Sequence, residues 1–151
     1  MRGDGDGWVA CNQGHRHWGR HGAAGLLLRY ASNAEREVLM QLRADWSHHG
    51  GTWGLPGGAR DSSETSEEAA LREAAEEVGV EIALVQVVSS YADDHGGWTY
   101  VTVIASCAER LAARPTGGES ADVRWVPERE VPSLRLHPGL AASWPRLFDH
   151  L

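Results

Sequence analysis

Residues 57–80 read GGARDSSETSEEAALREAAEEVGV, a glycine turn followed by a helical pattern that another glycine ends. Within this stretch, Glu73, Glu76 and Glu77 stand at relative spacings of three and four, which place all three carboxylates on one face of an α-helix. Each like-charged pair at such a spacing costs roughly 0.2–0.5 kcal/mol. Because Mg²⁺ takes oxygen ligands, the pattern predicts a site for a hard divalent cation.

The same stretch carries the start and stop signals of a single helix. Thr65, followed three residues later by Glu68, fits a capping box, so the helix is expected to begin near Thr65. Gly79 is a natural C-terminal stop. The apolar positions at helical spacing are Leu71, Ala74, Ala75 and Val78. This stripe is expected to pack against the body of the protein, with the acidic face largely separate from it.

Apolar and β-branched runs on both sides of this helix predict strands. The predicted strands lie at 8–11, 23–30, 37–42, 82–91, 98–107 and 123–126. A turn is expected at 92–97, so that the two long runs around it form a hairpin. A short helix is predicted at 127–131, and an amphipathic helix, interrupted at Pro145, at 138–150.

Length and composition favour one globular domain. The chain has 151 residues, of which 42% are hydrophobic and 23% charged, and a formal net charge of -7. The negative charge argues against polymeric nucleic acid as a partner and is compatible with a small phosphorylated molecule. No apolar segment has the length of a membrane span and the first residues do not resemble a signal peptide, so we expect no membrane partner and a cytoplasmic location. We expect an N-terminal arm at 1–21 and a single domain at 22–151.

The N-terminal arm combines one cysteine with several histidines, namely Cys11, His15, His17 and His21. These residue types suggest a metal site, but their spacing matches no standard zinc pattern. We therefore expect histidines that pack or face solvent. The other cysteine, Cys107, lies far along the chain, and the absence of a CxxC pattern indicates a reducing compartment, with one long-range disulfide left open.

The stretch at 57–80 resembles the Nudix box, GX5EX7REUXEEXGU, in which U is an aliphatic residue. The fixed positions are occupied by Gly58, Glu64, Arg72, Glu73, Glu76, Glu77 and Gly79, and the U positions by Ala74 and Val80. The preceding residues, 55–58, match the common lead-in of the family. The resemblance implies an α/β fold, a Nudix-type α/β/α sandwich around a mixed β-sheet, and a single Nudix hydrolase domain at 22–151.

The resemblance also implies roles for the residues of the box. Glu73 and Glu77 would be the principal ligands of Mg²⁺, with Mn²⁺ as an alternative. Glu76 would join them directly or through water, and the backbone carbonyl of Gly57 would add a further ligand. Arg72 would pair with Glu64 and brace the loop that contains Gly58 against the helix, a task that suits a bidentate Arg–carboxylate contact.

The implied reaction is substitution at phosphorus by water, with metal ions bridging the pyrophosphate oxygens. The implied catalytic residues are Glu76, Glu77, Arg72 and a general base. Glu119 is favoured as the base because it precedes a late strand, where MutT-like members of the family place an acidic residue. A glutamate of the box, Asp93 and Asp94 remain alternatives.

The family hydrolyses nucleoside diphosphates linked to another moiety, and a MutT-like nucleoside triphosphate pyrophosphohydrolase is the leading interpretation. ADP-ribose or nucleotide-sugar hydrolysis is the alternative, although His95 stands where the ADP-ribose branch usually has a proline. A non-catalytic nucleotide-binding module and an isomerase of isoprenoid diphosphates are further readings. Candidate base-stacking residues are Trp18, Trp53, Trp98 and Tyr100. The expected partner is a small nucleotide, and a homodimer is left open.

Overall fold

A mixed sheet of seven strands forms the centre of the computed structural model, which describes residues 4–12, 14–31, 35–47 and 49–151. A separate two-stranded sheet precedes it. The strands are β1 (Trp8–Ala10), β2 (Arg16–Trp18), β3 (Ala23–Ala31), β4 (Arg36–Arg43), β5 (Trp53–Gly54), β6 (Gly57–Ala59), β7 (Gln86–Asp94), β8 (Thr99–Cys107) and β9 (Ser120–Pro127). The helices are α1 (Ser66–Val78) and α2 (Pro138–Asp149).

The main sheet has the order β5-β4-β3-β8-β7, with β6 paired to β3 and β9 paired to β4. Strands β3 and β8 are parallel, from Ala23 opposite Tyr100 to Tyr30 opposite Cys107. The other pairings are antiparallel. Because β3 is central, both of its faces need cover, which explains why its sequence is a continuous apolar run rather than an alternating one.

Successive residues of β3 point to opposite faces of the sheet, and each face is covered by one helix. On one face, Leu26 and Leu28 belong to a core cluster with Ala74 of α1. On the other face, Leu27 belongs to a second cluster with Trp144 of α2. The predicted α/β/α sandwich with a mixed sheet is therefore confirmed.

Helix α1 begins and ends where the sequence predicts. Thr65 caps it, and the Thr65 and Glu68 side chains form both hydrogen bonds of the capping box. Gly79 adopts the left-handed conformation, with φ of 68°, that ends the helix. The predicted apolar stripe is only partly right. The buried apolar residues of α1 are Ala69, Ala70, Ala74 and Val78, whereas Leu71 and Ala75 of the predicted stripe are half-buried.

Two predicted boundaries after α1 are wrong. Residues Ile82–Leu84 form a turn of 3-10 helix, closed by the Val85 N–H donating to the Ile82 carbonyl at 3.1 Å, and β7 starts only at Gln86. Strand β7 then continues to Asp94, through the first half of the predicted turn, because β8 offers it backbone partners up to that residue. Local hydrogen bonds therefore override the strand propensity of Ile82–Leu84, and pairing with β8 extends β7 at its other end.

The two C-terminal predictions also change. The predicted strand at 123–126 is longer, because β9 pairs with β4 from Ser120 to Pro127. The predicted interruption at Pro145 is wrong, since α2 runs unbroken through this residue. Pro145 lies on the exposed side of α2, so the carbonyl that loses its donor can be solvated. Trp144 and Leu147, both buried, hold the helix on either side of it.

The N-terminal segment forms a β1–β2 hairpin attached to the rest of the protein. Arg20 N–H donates to the Gly5 carbonyl at 2.7 Å, and Gly5 N–H donates to the Asp61 carboxylate at 3.0 Å. The division into an arm at 1–21 and a domain at 22–151 stays a prediction, of which residues 1–3 and 13 lie outside the described part. None of the helices within the described residues has the length and apolar character needed to cross a membrane.

Candidate active site

The centre of the site is a pair of carboxylates on α1, hereafter the buried pair, of which Glu77 is buried and Glu73 is largely covered. Glu77 is 9% exposed, and it shares a side-chain hydrogen bond with Glu73, one turn earlier. Burial, aided by the neighbouring acid, raises the pKa of Glu77 well above its ordinary value, and burial raises the pKa of Glu73 as well. Two carboxyl groups can bond in this way only when they share a proton. The pair therefore needs positive charge close to its oxygen atoms, which a cation could supply.

Glu76 lies apart from this pair. Its side chain is 58% exposed, and its Oε2 atom is 3.4 Å from Nη1 of Arg72. Although the sequence pattern predicts all three carboxylates on one helix face, the structure brings Glu73 and Glu77 together and leaves Glu76 at the rim. A ligand role for Glu76 through water, one of the two predicted possibilities, fits this position better than a direct bond.

Arg72 connects the helix to the loop that precedes it. Its Nε and Nη2 atoms donate to the two carboxylate oxygens of Glu64 at 2.6 and 2.8 Å, the bidentate arrangement. Nη2 also donates to the Ala59 carbonyl at 3.1 Å, and Nη1 to Glu73 at 3.0 Å. The hydrogen bond from Arg72 lowers the pKa of Glu64. One guanidinium therefore fixes the end of β6, the loop and a buried glutamate relative to each other.

Gly57 and Gly58 allow close approaches rather than unusual turns. A Cβ at Gly58 would stand 2.8 Å from the carboxyl carbon of Glu73. A Cβ at Gly57 would stand 2.5 Å from the Ala24 carbonyl oxygen of the paired strand. Gly57 thus packs β6 tightly onto β3, and Gly58 leaves the space that the Glu73 carboxylate fills. The ligand role of the Gly57 carbonyl stays a prediction.

Two further side chains contact Glu77 from β4 and β9, and sequence reasoning missed both. The Gln41 amide donates to the Glu77 carboxylate and to the Ser120 hydroxyl. The Ser120 hydroxyl lies 3.5 Å from the Glu77 backbone carbonyl. Gln41 is only 3% exposed, in a strand whose neighbours Leu39 and Met40 are core residues. A polar residue inside an apolar strand was the available signal, because buried amides are retained where they have partners.

The candidates for the general base have different surroundings in the structure. The negative charge of Glu119, an exposed residue next to Ser120, acts on Glu77 and contributes to its raised pKa. Asp93 is paired with His95, with 3.3 Å between carboxylate and imidazole. Asp94 accepts from the Gly96 N–H at 2.8 Å. Glu119 is therefore the candidate whose electrostatic link to the buried pair the structure describes.

Of the aromatic candidates, Tyr100 lies nearest the buried acids. Burial, together with the charges of Glu77 and Glu73, raises the pKa of its hydroxyl, and Arg43 acts in the opposite direction. The hydroxyl occupies the space above Gly25 that any Cβ there would take. Tyr100 is half-buried, and the contact of its hydroxyl with Gly25 limits its freedom to stack on a base.

The other aromatic candidates are distributed over different surfaces. Trp98 stacks on His17, with ring centroids 4.0 Å apart, and its indole N–H donates to the Gly19 carbonyl. Trp53 packs against the core cluster on the α2 side of the sheet, and the Arg124 guanidinium lies 5.4 Å from its ring. Trp18 makes an edge contact with Trp8 and is 41% exposed. The structure does not gather these side chains into one base pocket.

A cavity of about 490 Å³ opens beside the first residue of α1. Its lining includes Arg20, Arg60, Ser66, Asp94 and Trp98. Its described lining residues do not include the glutamates of the buried pair. The cavity has the size and the cationic side chains that a small phosphorylated molecule would need, and through Ser66 it adjoins the same helix that carries the two carboxylates.

The donor set fits a hard divalent ion. Glu73 and Glu77 offer only oxygen atoms, and their raised pKa values mark a place where positive charge is needed. Arg72 donates to the Glu73 carboxylate, and Gln41 contacts the Glu77 carboxylate. Glu73 and Glu77 are therefore the residues that would hold the ion, with Glu76 at the rim within reach of a bridging water.

Comparison with known proteins agrees with this geometry. A family model described as "NUDIX domain" matches residues 19–147. Over 156 residues the chain is 53% identical to a Mycobacterium tuberculosis protein named "Putative 8-oxo-dGTP diphosphatase 3", covering 97% of this chain and 70% of that protein. The crystal structure of a Nudix hydrolase from M. smegmatis, RenU, superposes with a TM-score of 0.91 at 52% identity, covering 96% of this chain and 94% of that one.

A third relative shows the same unit inside a longer protein. A Bifidobacterium longum protein named "Nucleoside triphosphate pyrophosphatase/Nudix hydrolase fusion protein" is 43% identical over 152 residues, which cover 97% of this chain and 32% of that protein. This chain thus spans about a third of that relative.

Proposed function

The chain belongs to the NUDIX family of hydrolases, and from that premise we propose that it cleaves a pyrophosphate bond of a nucleoside or deoxynucleoside triphosphate with the help of Mg²⁺. The observation that carries the proposal is the Glu73–Glu77 pair on α1, in which Arg72 contacts Glu73 and Gln41 contacts Glu77. An enclosed pair of acids without a cation lowers the stability of the fold. A divalent ion bound there would offset the charge of the pair and serve the reaction.

When bound, Mg²⁺ would offset the charge of the pyrophosphate oxygens and make a bound water more acidic. The other tasks fall to this chain's own side chains. Arg72 and Glu64 keep α1 in register with the loop after β6. Gln41 orients the Glu77 carboxylate. The Glu119 carboxylate accepts a proton from the attacking water. Its exposed position next to Ser120 leaves the side chain free to reach that water.

For the nucleotide itself, the support comes from the relatives. The M. tuberculosis protein is named for hydrolysis of 8-oxo-dGTP, and the B. longum protein for a nucleoside triphosphate pyrophosphatase activity fused to a Nudix hydrolase. We therefore place 8-oxo-dGTP first among the substrates to be tried, ahead of the unmodified triphosphates. ADP-ribose and nucleotide sugars are the alternative class. The cytoplasm is the proposed location, in keeping with two free cysteines among the described residues.

The test is a substrate panel with Mg²⁺, read by separating the products. The panel contains 8-oxo-dGTP, the common triphosphates, ADP-ribose, a nucleotide sugar and a dinucleoside polyphosphate. We expect a nucleoside monophosphate and pyrophosphate from a triphosphate, and no turnover after the metal is removed with EDTA. Preferential cleavage of ADP-ribose would overturn the proposed substrate class and keep the hydrolase. Light scattering of the same preparation measures whether the protein is a homodimer.

Two substitutions connect turnover to the buried pair. Glu77→Gln and Glu73→Gln should each lower kcat/KM by at least about 100-fold, because even residues that only orient metal ligands are worth about 10–100-fold. Glu67→Gln is the matched control, since Glu67 is an exposed acid in the first turn of the same helix. Equal rates for the Glu77 variant and the control would remove the pair from the proposed mechanism.

A further inference from the structure

The N-terminal hairpin gathers three metal-ligand side chains that the hydrolase reaction does not use. Cys11 follows β1, and His15 and His17 lie immediately before and within β2. One potential ligand atom from each of the three lies within 4.8 Å of the others. We propose that Cys11, His15 and His17 form a zinc site, with solvent in the fourth position, that fastens this hairpin.

The donor set selects a different metal from the one on α1. A thiolate and two imidazoles are ligands typical of Zn²⁺, whereas Mg²⁺ prefers oxygen. With metal bonds of about 2.0–2.3 Å, tetrahedral ligand atoms stand about 3.5 Å apart, so the three atoms need to draw together by about 1 Å. His15 is exposed and can make most of that movement by rotating its side chain. Binding deprotonates the Cys11 thiol and releases its proton to solvent.

An independent observation at His17 points to a missing ligand. Its Nε2 atom is buried and has no hydrogen-bond partner among the described residues. A buried nitrogen left without a partner costs free energy, which coordination to a metal would recover. The imidazole is already held in place, stacked on Trp98 with an interplanar angle of 7°. Cys11 is itself 6% exposed, so its thiol is shielded from the solvent.

The position of the cluster suggests what the metal would do. The Asn12 N–H, next to Cys11, donates to the Gly96 carbonyl at 2.7 Å, which joins the hairpin to the turn between β7 and β8. Trp98 follows that turn and lines the cavity beside α1. A bound Zn²⁺ would therefore hold the hairpin, and through His17 the Trp98 wall of the cavity, in a single arrangement. This is a structural role, separate from the metal chemistry at Glu73 and Glu77.

The test uses Co²⁺ as a spectroscopic substitute for Zn²⁺ in the reduced full-length protein, with excess Mg²⁺ present to fill the glutamate site. We expect one equivalent of Co²⁺ to produce a thiolate charge-transfer band and the intense visible bands of tetrahedral coordination. Cys11→Ser should abolish the charge-transfer band, and His15→Ala or His17→Ala should weaken Zn²⁺ binding by at least about 10-fold. Cys107→Ser and His21→Ala are the matched controls and should retain both.

The outcomes separate cleanly. No thiolate band in the wild type, or a band that survives Cys11→Ser, overturns the proposal whatever the hydrolase activity is. A second measurement protects against a variant that simply misfolds: hydrogen exchange of residues 8–18 in the wild type should slow on addition of Zn²⁺ and not of Mg²⁺. Equal exchange with and without Zn²⁺ contradicts the fastening role.

Discussion

The enclosed position of Glu77, which suits its proposed role as a metal ligand, lowers the stability of the metal-free protein. Glu77 is nearly enclosed, it faces Glu73, and its pKa is raised by burial first and by that neighbour second. A raised pKa means that the folded, metal-free protein binds more protons than the unfolded chain at pH values between the two pKa values. The free energy of unfolding then falls as the pH rises through that window.

This predicts that Glu77→Gln stabilises the metal-free protein while it abolishes turnover. Each pKa unit removed corresponds to about 1.4 kcal/mol, so a gain of at least about 1 kcal/mol is expected at about pH 8, shrinking towards about pH 5. Urea unfolding in EDTA at both pH values measures it, and Mg²⁺ should raise the Tm of the wild type but not that of the Glu77 variant. The control is Glu67→Gln, which should change neither quantity. A Glu77 variant less stable than the wild type at the higher pH would contradict the prediction.

At Glu119 the prediction concerns rate alone. Because its side chain is exposed and its backbone carbonyl is anchored by the Ala44 N–H at 2.9 Å, Glu119→Gln should leave the fold and the Mg²⁺ requirement unchanged. Loss of a general base typically costs about 10²–10⁴-fold, so kcat should fall by that order. Asp93→Asn and Asp94→Asn are run alongside. A larger fall in kcat for either of them assigns the base to the β7–β8 turn.

The residues of the box could be predicted from the sequence because their chemistry is concentrated in one continuous stretch. The spacing of Glu73 and Glu77 in a helix is enough to place them together. Gln41 and Ser120 could not be placed in the same way, because they reach Glu77 from β4 and β9 through the packing of the sheet. A polar residue in an apolar strand signals that Gln41 has a partner, but the partner is identified only after the strands are arranged.

At the scale of elements, the short strand β6 and helix α1 act as one unit because of the space at Gly58. Gly58→Ala would bring a methyl group to 2.8 Å from the Glu73 carboxyl carbon, and the end of that flexible side chain must then move. We expect little change in Tm. The Mg²⁺ concentration needed for half-maximal rate should rise by at least about 10-fold, which is the effect of losing a residue that orients a metal ligand.

The control for this prediction is Gly117→Ala. A Cβ at Gly117 would meet the Glu76 carbonyl oxygen at 3.9 Å, an ordinary contact, and should change neither Tm nor the Mg²⁺ requirement. Titration of the rate with Mg²⁺ compares the two variants directly. If both variants need the same Mg²⁺ concentration as the wild type, Gly58 is retained for another reason.

The ends of the elements show where local signals stop being sufficient. Thr65 and Gly79 mark the limits of α1 correctly because capping is a local hydrogen-bonding problem. The limits of β7 and the continuity of α2 through Pro145 depend on neighbours: the length of β8 in one case, buried flanking residues in the other. A sequence read one segment at a time does not contain those neighbours.

For the whole molecule, the two-faced sheet separates the site from half of the core. The parallel pairing of β3 with β8 places Ala23 opposite Tyr100, and this order was not part of the prediction from sequence. The longer strands and the two α-helices were predictable from periodicity, whereas the short strands β2, β5 and β6 were not predicted. Which strands are neighbours follows from packing between residues far apart in the chain. As a result, α1, with the proposed metal ligands, covers one face of the sheet and α2 covers the other.

This separation leads to a matched pair of variants on β3. Leu26→Ala and Leu27→Ala both empty a fully buried position, the first on the α1 side and the second on the α2 side. Each should cost about 2–5 kcal/mol in urea unfolding, since each removes a buried leucine. Only Leu26→Ala lies under the helix that holds Glu73 and Glu77, so only that variant should raise the Mg²⁺ concentration needed for half-maximal rate, measured well below both Tm values. An equal shift in the two variants would mean that the faces are coupled and that the whole sandwich, rather than one face of it, positions the carboxylates.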